Sequence, residues 1–440
     1  MKKILIICLV TLFTTTCISQ TFNKQRIDSL FQVLEKKEKF MGSIAISKNG
    51  TILYSNAIGY ADLETSKKAT TATKYRIGSI SKIFTAALIL KSIEENKLTF
   101  NQTLDKYFPQ IENAKTITIE NLLNHRSGIY NFTNDLTYLK YNTLPKSQKE
   151  MIEIIAKGKS DFEPNSKADY SNSNYVLLSY ILEKIYKKDY SLILNEKIIK
   201  PLGLKNTYYG GKTNLTNNES YSYSFKDKWI KETETDMSIP MGAGAIVSNP
   251  TDLTIFIEQL FAGKIISQKS LTTMKMMKEK YGMGIFEFPY FDKKSYGHTG
   301  GIDGFQSVVS YFPEDKLSVS LTSNGILYAN NNILLCALSC YFDKPFKIPT
   351  FEKVEVEVST EILDLYTGQY KSLQMPLKIA ITRNENKLFA QATGQPAFPL
   401  EASSSNSFKF EQAGIILEFN SKKNEMTLKQ GGKEFLFTKE

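Results

Sequence analysis

One tryptophan, two histidines and four cysteines are all that 440 residues contain of these types, and each scarcity closes a line of chemistry. The histidines, His125 and His298, form no H-E-x-x-H, and no C-x-x-C pair exists, so no metal and no cofactor is expected. There is no G-x-S-x-G elbow, which sets aside an α/β-hydrolase nucleophile. No basic run reaches five residues and no arginine-rich stripe occurs. The formal charge of +10 therefore reads as scattered solvated lysines, and no nucleic-acid partner is expected. Cys336 and Cys340 stand four apart in an apolar, helix-like segment. They share a face that does not favour a disulfide and read as buried free thiols.

The N-terminus carries Met1-Lys2-Lys3, an apolar run from Ile4 to Phe13, and then small polar residues. That is the layout of a secretory signal, placed at 1–19, and the run is shorter than the ~20 residues of a spanning helix. Export to the periplasm or the medium is expected, with no transmembrane helix in the mature chain. Cys17 offers an acceptor for lipid, so a lipoprotein is the alternative form of export.

An amphipathic helix, carried by Ile27, Leu30, Phe31 and Leu34, is expected between Thr21 and Phe40. Alternating residues on either side of Asn49-Gly50 then predict a β-hairpin with a type I′ turn. Ser79–Glu95 is apolar almost all round, the mark of a buried helix. The stretch from Thr118 to Gly263 reads as an all-helical insertion, after which Phe305–Phe312 and Leu317–Thr322 predict a second hairpin and Asn331–Tyr341 a closing helix. The expected fold is α+β, an antiparallel sheet flanked by helices with a helical lobe, spanning 20–342. A proline-containing linker follows at 343–352. Short alternating strands over 353–440 then predict a small C-terminal antiparallel β-barrel, lipocalin-like in form.

S-x-x-K occurs once, as Ser79-Ile80-Ser81-Lys82. On a helix these residues share a face, so the Lys82 amine can reach the Ser79 hydroxyl, and burial would make that amine a neutral base. Y-x-N occurs three times, and Tyr170-Ser171-Asn172 is the copy at the mouth of a helix. There a phenolate held near two ammonium groups could accept a proton, and Asn172 could meet a substrate amide. Gly297-His298-Thr299-Gly300-Gly301 leads into a strand. If it is an edge strand, the N–H of Gly301 can face that of Ser79 and hold an oxyanion.

Taken together, Ser79-x-x-Lys82, Tyr170-x-Asn172 and His298-Thr299-Gly300 are similar to the three motifs of the serine β-lactamase-related and penicillin-binding protein family. The resemblance is to its class C β-lactamase, D-Ala-D-Ala carboxypeptidase and esterase group. Arg76-Ile77-Gly78, His125-Arg126-Ser127-Gly128 and Gly242-Ala243-Gly244 add to it. The resemblance implies a serine hydrolase acting through an acyl-enzyme on Ser79, with Lys82 and Tyr170 moving the proton. The oxyanion would rest on Ser79 and Gly301, and the substrate on Asn172, His298, Thr299 and Gly300. It implies a small-molecule or peptide substrate, such as a peptidoglycan-derived D-amino-acid peptide or a small ester. A non-turnover penicillin-binding sensor and a weak class C-like β-lactamase are the alternatives. Dedicated β-lactamases usually carry lysine where His298 stands, which shifts the expectation toward peptidase-like and esterase-like members.

Overall fold

The structure is a computed structural model that describes residues 22–351, 356–375 and 377–440. The expected signal at 1–19, with Cys8 and Cys17, lies outside the described residues. Helix α1 (Lys24–Lys36) buries Ile27, Leu30, Phe31 and Leu34, and the Asn23 side chain caps it by accepting from the Arg26 N–H. It stops short of Phe40 because Glu38 turns to positive φ and Phe40 already opens a strand.

A six-stranded antiparallel sheet forms the centre. Its strands are β1 (Phe40–Lys48), β2 (Thr51–Ile58), β3 (Phe286–Tyr290), β4 (Lys293–Ile302), β5 (Phe305–Phe312) and β6 (Leu317–Ile326), in the spatial order β3-β4-β5-β6-β1-β2. The first hairpin turns where expected, with Asn49 and Gly50 both at positive φ. Strand alternation sorts the two faces. Ile44, Ile46, Val308 and Leu321 pack on α1 and on α5 (Asn330–Phe342), whereas Val309 and Tyr311 join the opposite core. That second core holds α2 (Ser81–Glu94), α3 (Asn172–Tyr186) and α4 (Pro250–Phe261). Cys336 and Cys340 are free and buried, as read.

Two expectations need correction. The insertion is not all-helical: its Ile246–Ser248 and Tyr208–Tyr209 make a small sheet with Tyr75–Arg76 from before it, and Tyr223–Lys226 pairs with Lys228–Lys231. Strands of two to four residues are too short to show a period, so no pattern announces them. Strand β4 is also not a simple edge. β3 covers it only as far as Gly297, leaving His298–Ile302 free on that side while β5 pairs along the other.

After α5 the chain runs without regular structure to Phe351, and α6 (Thr360–Tyr366) leads into a nine-stranded antiparallel sheet. Its two outermost strands, Phe398–Pro399 and Glu401–Ala402, are consecutive in the chain, so the sheet curls nearly closed into the expected barrel around its own core. Among the described residues no helix is long and apolar enough to cross a membrane.

Glycine decides how closely the serine turn meets the sheet. Gly78 sits at φ +50, and a Cβ there would lie 2.8 Å from the Gly301 backbone; one on Gly300 would lie 2.0 Å from the Ile77 carbonyl. Replacing Gly300 by alanine should destabilise the chain by about 1–3 kcal/mol through overpacking. Gly211→Ala, which meets nothing within 4 Å, should be near neutral. Thermal melts of the two variants check this, and equal melting temperatures would contradict the close approach.

Candidate active site

Ser79 lies in a single 3-10 turn, Gly78–Ile80, that runs directly into α2. Its side chain is half-buried at the meeting point of α2, the start of α3 and the free part of β4. Lys82, one turn on, is wholly buried. Its Nζ lies 3.0 Å from Ser79 Oγ, 2.7 Å from Asn172 Oδ1 and 2.8 Å from the Ala243 carbonyl. Burial alone drives the amine well below its ordinary range. Two further features favour the uncharged form. Lys82 stands in the first turn of α2, and Asn172 is the first residue of α3, so two helix N-termini direct positive potential at the amine.

The three contacts then sort by chemistry. A neutral amine donates two hydrogens, to Asn172 Oδ1 and the Ala243 carbonyl, and its lone pair is left for the Ser79 hydroxyl proton. The Tyr170 hydroxyl reaches Ser79 Oγ from another side at 2.9 Å. Tyr170 is a resting phenol, which corrects the phenolate expectation: burial raises its pKa far above the usual phenol value. One amine, not two ammonium groups, lies near it, with Lys82 Nζ 4.9 Å from the ring centre. Its other neighbours are uncharged rings, His125 at 4.5 Å and His298 at 6.2 Å between centroids.

His298 is buried on β4 and packs on Phe286. Its Nδ1 faces the Thr299 carbonyl, which can only accept, so Nδ1 carries the proton. Burial, and next the nearness of Lys82, lower its pKa from 6.5 to about 3. It is a neutral ring throughout the physiological range, so the titration near pH 6.5 expected of a free imidazole does not apply. Thr299 and Gly301 are exposed along the free edge of β4, and Gly300 is half-buried. Asn172 is less available than expected, because Lys82 takes its amide oxygen and its Nδ2 donates to Thr133 Oγ1 at 3.0 Å.

Three supports carry contacts that the sequence did not specify, although the segment His125–Gly128 reads as structural support for the site. Gly242 has no Cβ to strike Ser179 and Thr85, so the Met241–Gly244 turn slides between α2 and α3 and carries the Ala243 carbonyl to Lys82. The glycine–alanine–glycine triplet was the visible signal, but its role was not. His125, at φ +59, accepts the Ser171 N–H on Nδ1 at 3.2 Å and stacks on Tyr170, positioning the tyrosine. Arg76 is buried between Asp303 at 3.0 Å and Glu234 at 2.6 Å, which ties the strand before Ser79 to the turn after Gly301. An arginine two residues before a glycine gives no hint of that.

A serine beside a buried lysine and a tyrosine, set between a helical lobe and one edge of an antiparallel sheet, defines the β-lactamase/transpeptidase-like class. The chain belongs to the Beta-lactamase family, whose profile matches residues 27–327. It is 25% identical over 430 residues to penicillin-binding protein 4* of Bacillus subtilis, covering 90% of this chain and 93% of that one. It is 27% identical over 301 residues to the teichoic acid D-alanine hydrolase of Staphylococcus aureus, covering 67% and 72%. Among solved structures, the D-amino acid amidase of Ochrobactrum anthropi superposes with a TM-score of 0.63 at 24% identity, over 73% of this chain and 99% of that one. The octameric penicillin-binding protein homologue of Pyrococcus abyssi does so with a TM-score of 0.65 at 22% identity, over 94% and 99%.

The electrostatics fix a pH profile. If kcat/KM depends on a neutral Lys82, activity rises with pH through that group's lowered pKa, while His298, already neutral, adds no step near pH 6.5. Wild type and His298→Gln should therefore share one acid limb in a pH–rate series. A step near pH 6.5 that vanishes in the variant would show that His298 titrates in the free enzyme.

Proposed function

We propose that this protein is an exported serine hydrolase that opens amide or ester bonds through an acyl-enzyme on Ser79. The observation that carries the reading is the pair of acceptors on Lys82, Asn172 Oδ1 and the Ala243 carbonyl, which take both hydrogens of a neutral amine and leave its lone pair for the Ser79 hydroxyl 3.0 Å away. In the proposed reaction Ser79 Oγ gives its proton to Lys82 Nζ and attacks the carbonyl carbon. The carbonyl oxygen takes the negative charge, held by the backbone N–H groups of Ser79 and Gly301. Tyr170, hydrogen-bonded to Oγ, then passes a proton to the leaving group as the bond breaks, and is re-protonated from Lys82. Water deacylates the enzyme by the same route in reverse.

The preferred substrates are D-amino-acid amides or peptides and small esters, ahead of penicillins and cephalosporins. A neutral His298 offers no positive charge to a substrate carboxylate, and Thr299, Gly300 and Asn172 would hold the substrate by hydrogen bonds alone. Relatives whose names specify D-alanine or D-amino acid substrates support the same ranking.

We also read 20–342 as the catalytic unit and 353–440 as a separate barrel. Phe346, Ile348 and Phe351, in the expected linker 343–352, pack against the core of the first unit, which supports moving its outer limit from 342 to beyond Phe351.

A fluorophosphonate probe should label the peptide containing Ser79 and fail on Ser79→Ala. In single-turnover assays Lys82→Ala and Tyr170→Phe should each slow acylation by roughly 10²–10⁴ with little change in ground-state binding. Unchanged acylation in both variants would assign the base elsewhere. A second comparison sets kcat/KM for a D-alanine amide, a small ester and a cephalosporin side by side. A preference for the cephalosporin of about tenfold, or about 1.4 kcal/mol of transition-state stabilisation, would overturn the substrate ranking and leave Ser79 in place.

A further inference from the structure

The C-terminal barrel is filled at one end and hollow at the other. On the paired strands Lys378–Asn384 and Lys387–Ala392, Ile381 and Leu388 are packed on all sides, whereas Ile379, though part of the same core, borders a void together with Ala392. The next hairpin, Ile415–Asn420 with Glu425–Gln430, repeats the division: Phe419 and Met426 are packed, and Ile415 and Leu428 line the void. The filled end is the one where α6 inserts Leu363 and Tyr366, with Tyr366 stacked on Phe419 at 4.5 Å. At the hollow end the inward strand positions Ala390 and Ala392 are small, and with Ala397 and Ala413 at the rim they leave a cavity of about 360 Å³. That is the size of a small-ligand site, and among the described residues no charged side chain lines it.

This chamber has a polar continuation. A second cavity, of about 250 Å³, shares Ala413 and Gln430 with the first and extends to Asn331 and Asn332 at the start of α5. Its remaining wall includes Gly414 and Gly431, both at positive φ, and again no side chain of the described residues in it carries charge. An apolar chamber therefore opens into an amide-lined vestibule between the barrel and α5. Apolar voids stay dry and gain dispersion contacts when a hydrocarbon enters, while amide groups recompense a hydroxyl or ester for the water it leaves. A carboxylate or phosphate would find no cation among the described residues of either wall.

We propose that the barrel is a binding site for a single-chain amphiphile with an uncharged head. The acyl tail lies in the barrel, and the hydroxyls or ester of the head, as in a monoacylglycerol, bond to Gln430, Asn331 and Asn332. The site is separate from Ser79, and its test does not depend on the catalytic reading.

The experiment uses the full chain carrying Ser79→Ala, so that no ester is consumed. N-phenyl-1-naphthylamine fluorescence is titrated and then displaced with monoacylglycerols of increasing chain length and with the matching fatty acids. Saturable one-site binding is expected, with displacement that strengthens with chain length up to a limit and favours the monoacylglycerol over the acid. Ala392→Phe, which fills the chamber, should weaken probe binding by about tenfold or more. Gln430→Ala should weaken the monoacylglycerol and leave the apolar probe unchanged. If Ala392→Phe alters the circular dichroism spectrum, Ala413→Leu at the edge shared by the two cavities takes its place. Absence of saturable binding, binding unaffected by both filling variants, or a preference for the free acid would overturn the proposal.

Discussion

An amine buried without a counter-ion is the constraint on which the catalytic half of this molecule depends. Lys82 is fully enclosed, and no carboxylate is among its partners. An ammonium there would carry a large desolvation penalty with two amide-type oxygens and a hydroxyl as its only compensation, so the neutral amine is the stable form. The surroundings serve that state. α2 and α3 both begin at the amine, the Met241–Gly244 turn supplies a carbonyl, and Asn172 is held in turn by Thr133 and Asn131. Each support comes from a different stretch of chain, so the fold and the state of one nitrogen are fixed together. In the proposed reaction the same burial that makes Lys82 a base also raises the pKa of Tyr170, which makes the phenol a proton carrier and not a resting base.

Legibility in the sequence followed the length of each pattern. α1, α2, the Asn49-Gly50 hairpin and the β5–β6 hairpin were all readable, because each repeats its apolar period several times or carries a turn dipeptide with one favoured geometry. β3 was not read, and β4 was read only through its glycines. Both are rich in exposed or half-buried residues, and β4 spends half its length as an open edge, where no alternation is needed. The small strands in the insertion are shorter than one period. In the C-terminal part the alternation that predicts a barrel is carried by strands of six and seven residues, whereas the two-residue strands that close it at Leu400 show no period.

The site divides in the same way. Ser79, Lys82 and Tyr170 meet as the motifs implied, because spacing on one helix brings the first two together and the start of α3 delivers the third. What the sequence could not convey was protonation, which depends on everything packed around a group. A tyrosine between two basic positions reads as a phenolate; the same tyrosine between neutral rings is a phenol. Likewise, Asn172 reads as a free amide, whereas its oxygen is taken by Lys82 and only its Nδ2 side is left to offer a substrate.

The two histidines show how far such environments reach. Both are buried and held neutral, yet they settle in opposite tautomers, because each faces a backbone group with a fixed role. His125 meets the Ser171 N–H and must leave Nδ1 bare, whereas His298 meets the Thr299 carbonyl and must protonate it. His125 thereby steadies the segment that carries Tyr170, and its ring closes one side of the phenol. His298 closes another side and leaves the wall above β4 without charge. A lysine in its place would put a cation beside Lys82 and Tyr170, opposing protonation of the amine and favouring a phenolate. The lysine-for-histidine difference from dedicated β-lactamases therefore extends beyond substrate contact. In the proposed reaction it resets which of the two groups holds the proton, and with a neutral histidine there the lysine amine is the group left to activate Ser79.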